Sequence, residues 1–137
     1  FALADSWRSQ GHCCIDMGEE EFTNGRPHPM IDVRLRQERL LKEASDPEVA
    51  VILLDVVIGY GSHDNPGGVL SETIREARAK AMAAGRYLAV VAHVCGTAQD
   101  PQGLEQQEQK LREAGAIVLP TNAQAAQVAA GIVGATL

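Results

Sequence analysis

Apolar residues in this chain fall in short dense runs, separated by stretches in which they recur at every third or fourth position. The runs at 12–17, 49–58 and 87–95 are apolar without strict alternation. That pattern predicts strands covered on both faces, as in a parallel sheet. A shorter run at 116–119 stops at Pro120, which lacks the N–H that ladder pairing needs.

The intervening segments read as helices. Over 69–84, Leu70, Ile74, Ala77, Ala81 and Ala84 form one apolar stripe, and Glu72, Arg75, Glu76, Arg78 and Lys80 cover the other side. Residues 30–44 place Val33, Leu40, Leu41 and Ala44 together. Residues 104–114 predict a surface helix with Leu104 and Leu111 inward, and 123–133 an Ala-rich closing helix. Asp100-Pro101 reads as an N-cap followed by a first-turn proline, Thr121 and Gln124 have capping-box spacing, and Asn65-Pro66 marks another helix start. Gly85 and Gly115 stand where left-handed helix ends are expected. Strand and helix alternate four times, so the predicted fold is α/β: a three-layer, doubly wound parallel sheet in flavodoxin-like order.

At 137 residues and 45% apolar content, the chain suits one core, so residues 1–137 are read as a single domain. It opens at Phe1 with no charged leader and no long apolar stretch, which predicts neither a signal peptide nor a membrane span and suggests a fragment of a larger multidomain protein. The net charge of −6, with basic residues such as Arg34, Arg36, Arg39 and Lys42 spread along a helix, speaks against a nucleic-acid surface. Cys13, Cys14 and Cys95 are odd in number and are expected as free thiols, which fits a cytoplasmic setting.

Four phrases occur in one order: IDMGEEEFTNGRPHPMID from Ile15, DPEVAVILLDVVIGYG from Asp46, VVAHVCGTAQDPQ from Val90 and LPTNAQAA from Leu119. Together they resemble the FdrA group of acyl-CoA synthetase-related proteins, which is in turn similar to the CoA-ligase domain of the succinyl-CoA synthetase α subunit. Gly18, Asp46-Pro47-Glu48, Gly59 and the stretch from Lys110 to Gly115 carry that second likeness, the last of them approximately. The resemblance covers almost all of the chain from about Gly11 onward.

In an open parallel sheet the ligand crevice lies beyond the carboxyl ends of the strands. The loops to read are therefore 18–29, 59–68, 96–100 and 120–122. The ligase relatives imply a phosphohistidine in the loop after the third predicted strand and a glutamate that orients it. Here that loop, Gly96-Thr97-Ala98-Gln99-Asp100, has no histidine, and Val57 stands where the glutamate is expected, with Asp55 the nearest carboxylate. A phosphohistidine step is not expected.

His28, between Pro27 and Pro29, and Asp55 are the candidate catalytic residues. His28 could equally stiffen its loop. Arg26, Gly59, Gly61, Gly96, Thr97 and Asn122 are the candidate anion- or substrate-binding residues. Arg26 could instead pair with Glu19, Glu20 or Glu21, and Asp16 is expected to cap its own loop. His93 reads as a half-buried core residue. Cys95 reads as a small buried hydrophobe, or alternatively as an activated thiol. The glycine-rich stretch 59–68 matches neither the Walker nor the dinucleotide fingerprint. His63 and Asp64 have no ligand spacing with another His or Cys that would predict a metal.

The resemblance implies a CoA-ligase-like domain contributing binding surface and assembly, with CoA or a nucleoside triphosphate possible in the full-length protein. Other domains of the same chain, partner subunits and a small acyl or carbamoyl substrate are the implied partners. Two alternatives stand beside it: a component of an oxamate carbamoyltransferase in ureide (allantoin) catabolism, and a non-catalytic interaction domain.

Overall fold

The computed structural model describes residues 2–134, so Phe1 and residues 135–137 of the single-domain reading lie outside the described residues. Its elements are α1 (Glu20–Thr23), α2 (Arg34–Ser45), β1 (Val51–Val57), α3 (Pro66–Ala83), β2 (Ala89–Cys95), α4 (Leu104–Glu113), β3 (Ile117–Val118) and α5 (Asn122–Ile132). The strands form a parallel sheet in the order β1-β2-β3, with Val51 opposite Ala89 and Val91 opposite Ile117. Both crossovers step in the same direction, so two right-handed connections put α3 and α4 on one face. The α2 helix packs on α3 there, and α5 covers the opposite face over β1 and β2. This is the expected α/β arrangement, a parallel sheet between helical layers. The strand order does not reverse among these three strands.

Alternation along the strands divides the core. Val56, Val90, Ala92 and Val94 point to the α3 and α4 side and pack with Leu70, Ile74, Ala77, Ala81 and Leu111. Val91 points the other way, against Ala125 and Ala129 of α5. Small alanines on α3 and α5 let the helices lie close to the β-branched surface.

Residues 12–17 are not a strand. Cys13, Cys14 and Asp16 are exposed, and the segment joins no ladder. Ala50 and Ile58 turn their backbone groups toward β2, so those of Asp55, an odd number of positions from each, face outward. The Asp55 carbonyl on that free edge is taken by the Arg36 guanidinium. The stretch from Asp5 to Phe22 is tied instead to α2: Arg39, buried beside Glu43, donates to the Ser6 carbonyl at 2.8 Å and to Ser9 Oγ at 2.8 Å, and Lys42 reaches the Trp7 carbonyl. Trp7 meets the buried Phe22 edge-on at 4.9 Å between ring centroids.

The helix ends largely follow the expected punctuation. Asn65 accepts from the Gly68 N–H with Pro66 in the first turn, and Thr121 accepts from the Gln124 N–H at 3.2 Å. Gly115 has φ of +87°, and a Cβ there would collide with Arg78, whose Nη1 donates to the Ala114 carbonyl at the end of α4. Asp100 is not an N-cap: the cap is Gly103, three residues later, and α4 starts at Leu104.

Leu111 and Ile74 have no exposed surface and meet between α4, α3 and the sheet. Leu111→Ala is expected to lower unfolding free energy by about 2–5 kcal/mol, the range for emptying a packed leucine site. Urea unfolding checks this; a loss under about 1 kcal/mol would mean that α4 is not part of the core.

Candidate functional site

The carboxyl ends of β1 and β2 lead into two turns that are locked to each other. Gln102, 7% exposed, lies between them. Its Oε1 accepts from the Gly59 N–H at 3.0 Å, and its Nε2 lies within reach of the Gly59 carbonyl at 2.8 Å, Ser62 Oγ at 3.1 Å and the His63 carbonyl at 3.3 Å. Gln107, 1% exposed, repeats the device one layer deeper: Oε1 accepts from the Gly67 N–H at 2.9 Å and Nε2 donates to the Gln102 carbonyl at 3.0 Å. A Cβ at Gly67 would stand 2.8 Å from Gln107 Oε1, so only glycine admits this side chain. Lys110 Nζ completes the frame by donating to Asn65 Oδ1 at 2.7 Å. Polar groups this deep in a fold are costly unless paired, and all of these are paired.

Of the residues singled out in the sequence, Gly59, Gly61, Gly96 and Thr97 lie on these two turns at the strand ends. Gly59 and Gly61 have φ of +137° and +81°, which only glycine adopts readily. Gly96 is required by packing: a Cβ there would lie 2.1 Å from Ile58 Cγ1 and 3.0 Å from Asp100 Oδ2. Thr97 accepts from the Gln99 N–H at 3.2 Å. Asn122 is the first residue of α5, next to the capping Thr121.

His28 and Arg26 belong to the segment before α2. That segment is joined to the turn after β1, where the His63 N–H donates to the Met30 carbonyl at 2.7 Å. The His28 ring is exposed, with Nδ1 accepting from the Met30 N–H at 3.2 Å, and it packs over Gly18. Arg26 lies 4.0 Å from Glu38 and over the Trp7 ring at 5.9 Å, so its partner is Glu38 rather than Glu19, Glu20 or Glu21. Asp55, in β1, is 64% exposed on the α5 face and paired with Arg36 at 2.9 Å. No hydrogen bond joins His28 to Asp55 among the described residues. Asp16 caps its own loop, accepting from the Gly18 N–H at 2.8 Å.

His93 is half-buried, with Nδ1 3.4 Å from the Leu119 carbonyl, in keeping with a core role. Cys95 is exposed, because it ends β2 beyond the cover of α5, so it is not the buried hydrophobe expected of its type. Asp100 turns back over its own loop: Oδ2 accepts from the Thr97 N–H at 2.6 Å. Gln102, Gln107 and Asp100 were missed as site residues. No sequence pattern marks them, because amides and a carboxylate in a polar stretch are expected at the surface.

Asp32 precedes α2 and takes hydrogen bonds from the Arg34 side chain and backbone N–H, which hold its carboxyl down at about 2, below the ordinary 3.8. The same contact raises the Arg34 guanidinium.

The strands and helices build a parallel α/β sheet between helical layers, with two interlocked, glycine-bearing turns at its carboxyl edge. The family profile described as CoA-ligase matches residues 2–132, and the chain belongs to that family. It is similar to the uncharacterized protein YahF of Escherichia coli (strain K12), with 53% identity over 118 residues. The match covers 86% of this chain and 23% of YahF, so the chain spans about a quarter of that relative's length. No helix among the described residues is long and apolar enough to cross a membrane.

Two outcomes follow from this geometry. Gln107→Leu keeps the volume but strands the Gly67 N–H and the Gln102 carbonyl, so it should cost about 1–3 kcal/mol in urea unfolding; an unchanged midpoint would show that these groups find other partners. For Asp32, the folded chain holds its proton less tightly than the unfolded one. Its stabilisation is therefore complete above about pH 4 and lost as pH falls through about 2. Asp32→Asn should lose less stability than the wild type between pH 5 and pH 2; parallel curves would remove this residue from the acid response.

Proposed function

We propose that this chain is the CoA-ligase-type domain of an FdrA-type, acyl-CoA synthetase-related protein, supplying binding surface and assembly contacts without a phosphohistidine step. One observation carries the reading. The turn between β2 and α4, where a phosphoryl-carrying imidazole would have to stand exposed and free to swing, has no histidine. Its polar side chains Thr97, Asp100 and Gln102 are instead engaged with the neighbouring backbone. A rim tied down in this way suits presentation of a fixed surface to a ligand or to another domain. CoA or a nucleoside triphosphate would bind in the full-length protein, with other domains and partner subunits completing the site.

The same absence of an imidazole favours a second reading, a component of an oxamate carbamoyltransferase. Carbamoyl transfer needs donors that hold a phosphate and polarise a carbonyl, not a phosphorylated histidine. The start of α5 at Asn122 and the exposed Arg26 are donors of the right kind.

The test uses the full-length protein with its partner subunits in two assays: thioester from CoA, acid and nucleoside triphosphate, and carbamoyl product from carbamoyl phosphate. Either product is expected without phosphate on any histidine, as read by intact-mass analysis at neutral pH. Phosphohistidine in this domain would contradict the proposal, and the absence of both products would leave an interaction role.

A further inference from the structure

The outer edge of β1 is largely unpaired. This strand runs for 7 residues at one end of the sheet, and the backbone groups of its odd-numbered residues point away from β2. The Asp55 carbonyl is taken by Arg36, which covers the carboxyl end of the edge, whereas the groups of Val51 and Leu53 have no hydrogen-bond partner among the described residues. Leu53, in the middle of the strand, is 42% exposed. Such an edge templates another strand unless proline, lysine, a bulge or a covering element blunts it. The opposite edge is blunted, since β3 has 2 residues and is followed closely by Pro120. β1 contains neither proline nor lysine.

A second unpaired run has the same direction as β1. At one end Ser9 Oγ donates to Glu43, in the last turn of α2, at 2.7 Å. At the other end Gly18 lies against the His28 ring, and the Met30 carbonyl just beyond accepts from the His63 N–H past the carboxyl end of β1. The stretch between Ser9 and Gly18 therefore runs antiparallel to α2 and parallel to β1. It contains the apolar run 12–17, exposes Cys13 and Cys14, and joins no ladder. A flavodoxin-like sheet has the strand order 2-1-3-4-5. Three strands that step one way, preceded by an unpaired strand-like run, fit positions 3, 4, 5 and 2 of that order. Position 1 then falls between residues 12–17 and β1.

We propose that the β1 edge is an interaction surface for one extended, apolar segment of the same longer polypeptide, lying outside residues 1–137 and pairing parallel to β1 through Val51, Leu53 and Asp55. The match covers 23% of YahF, so most of a polypeptide of that kind is available to supply such a segment. Its side chains are apolar on both faces, because one face continues the surface of the exposed Leu53 and the other that of Ile52 and Leu54, which pack on the main core. The proposal rests on the reading of this chain as one domain of a longer protein and specifies the assembly contact. It also bears on the ligand site: a flavodoxin-like sheet reverses its order beside position 3, and the crevice opens at that switch point. Here that point borders the turn after β1, whose Tyr60 is 92% exposed, so the rim is complete as a ligand site only with the added strand.

Hydrogen exchange on the full-length protein reads the pairing. The amides of Ile52, Leu54 and Val56 face β2, whereas those of Leu53 and Asp55 face away. An open edge therefore gives slow amides at alternate residues, and a paired edge gives a consecutive slow run. Leu53 and Asp55 are expected to exchange within about tenfold of Leu54; exchange at the rate of an open loop would overturn the proposal. A photoreactive benzoylphenylalanine in place of Leu53 identifies the occupant. The expected product is a cross-link within one chain, to a segment outside residues 1–137. A cross-link to a second copy, to a separate polypeptide or to residues 12–17 would overturn it. Neither readout depends on turnover: consecutive protection and the internal cross-link in a protein that forms neither thioester nor carbamoyl product would retain the strand and remove the ligase reading instead.

Discussion

The carboxyl edge of this sheet depends on two buried glutamines. Gln102 and Gln107 replace backbone partners that neither turn can supply for itself, and they join the turn after β1 to the approach to α4. A buried amide side chain is stabilising only when its donor and acceptor both find partners, which makes such a pair specific about geometry as well as adhesive. Gly67 follows from this constraint, since Gln107 fills the space a Cβ would need, whereas Gly96 is required by Ile58 and Gly59 turns through a positive φ.

Much of the fold was legible in the pattern of the chain, and the reasons are physical. Strand β2 announces itself because both its faces are largely covered, β1 by its apolar run although Leu53 and Asp55 are exposed, and α3 because its stripe of Leu70, Ile74, Ala77 and Ala81 has a single buried side. The run at 12–17 misled because apolar content does not by itself provide a neighbour: the outward groups of β1 are met in part by Arg36, and Cys13 and Cys14 face solvent. Asp100-Pro101 resembled a helix start by local chemistry, but its carboxylate is used within its own turn.

The candidate site was legible only as a location. Reading the strand-end loops pointed to Gly59, Gly61, Gly96 and Thr97, which the fold does gather at one edge. His28 and Asp55 are attractive residue types in plausible places, yet one binds its own loop and the other pairs with Arg36. The residues that organise the rim are glutamines in a polar stretch, where sequence pattern expects solvent. Only the tertiary placement of α4 against α3 reveals that Gln107 is inside.

The chain's α/β architecture is in keeping with its membership of the CoA-ligase family, and the glutamine-locked rim is the feature most tightly built at its strand ends. A rim held by these buried hydrogen bonds is formed before any ligand arrives. Native-state hydrogen exchange at the amides of Gly59 and Gly67, in the absence of any ligand, tests it most directly. Protection close to that of the β2 amides is the predicted result. Exchange at the rate of an open surface loop would contradict it, because the glutamine side chains would then not be holding those groups.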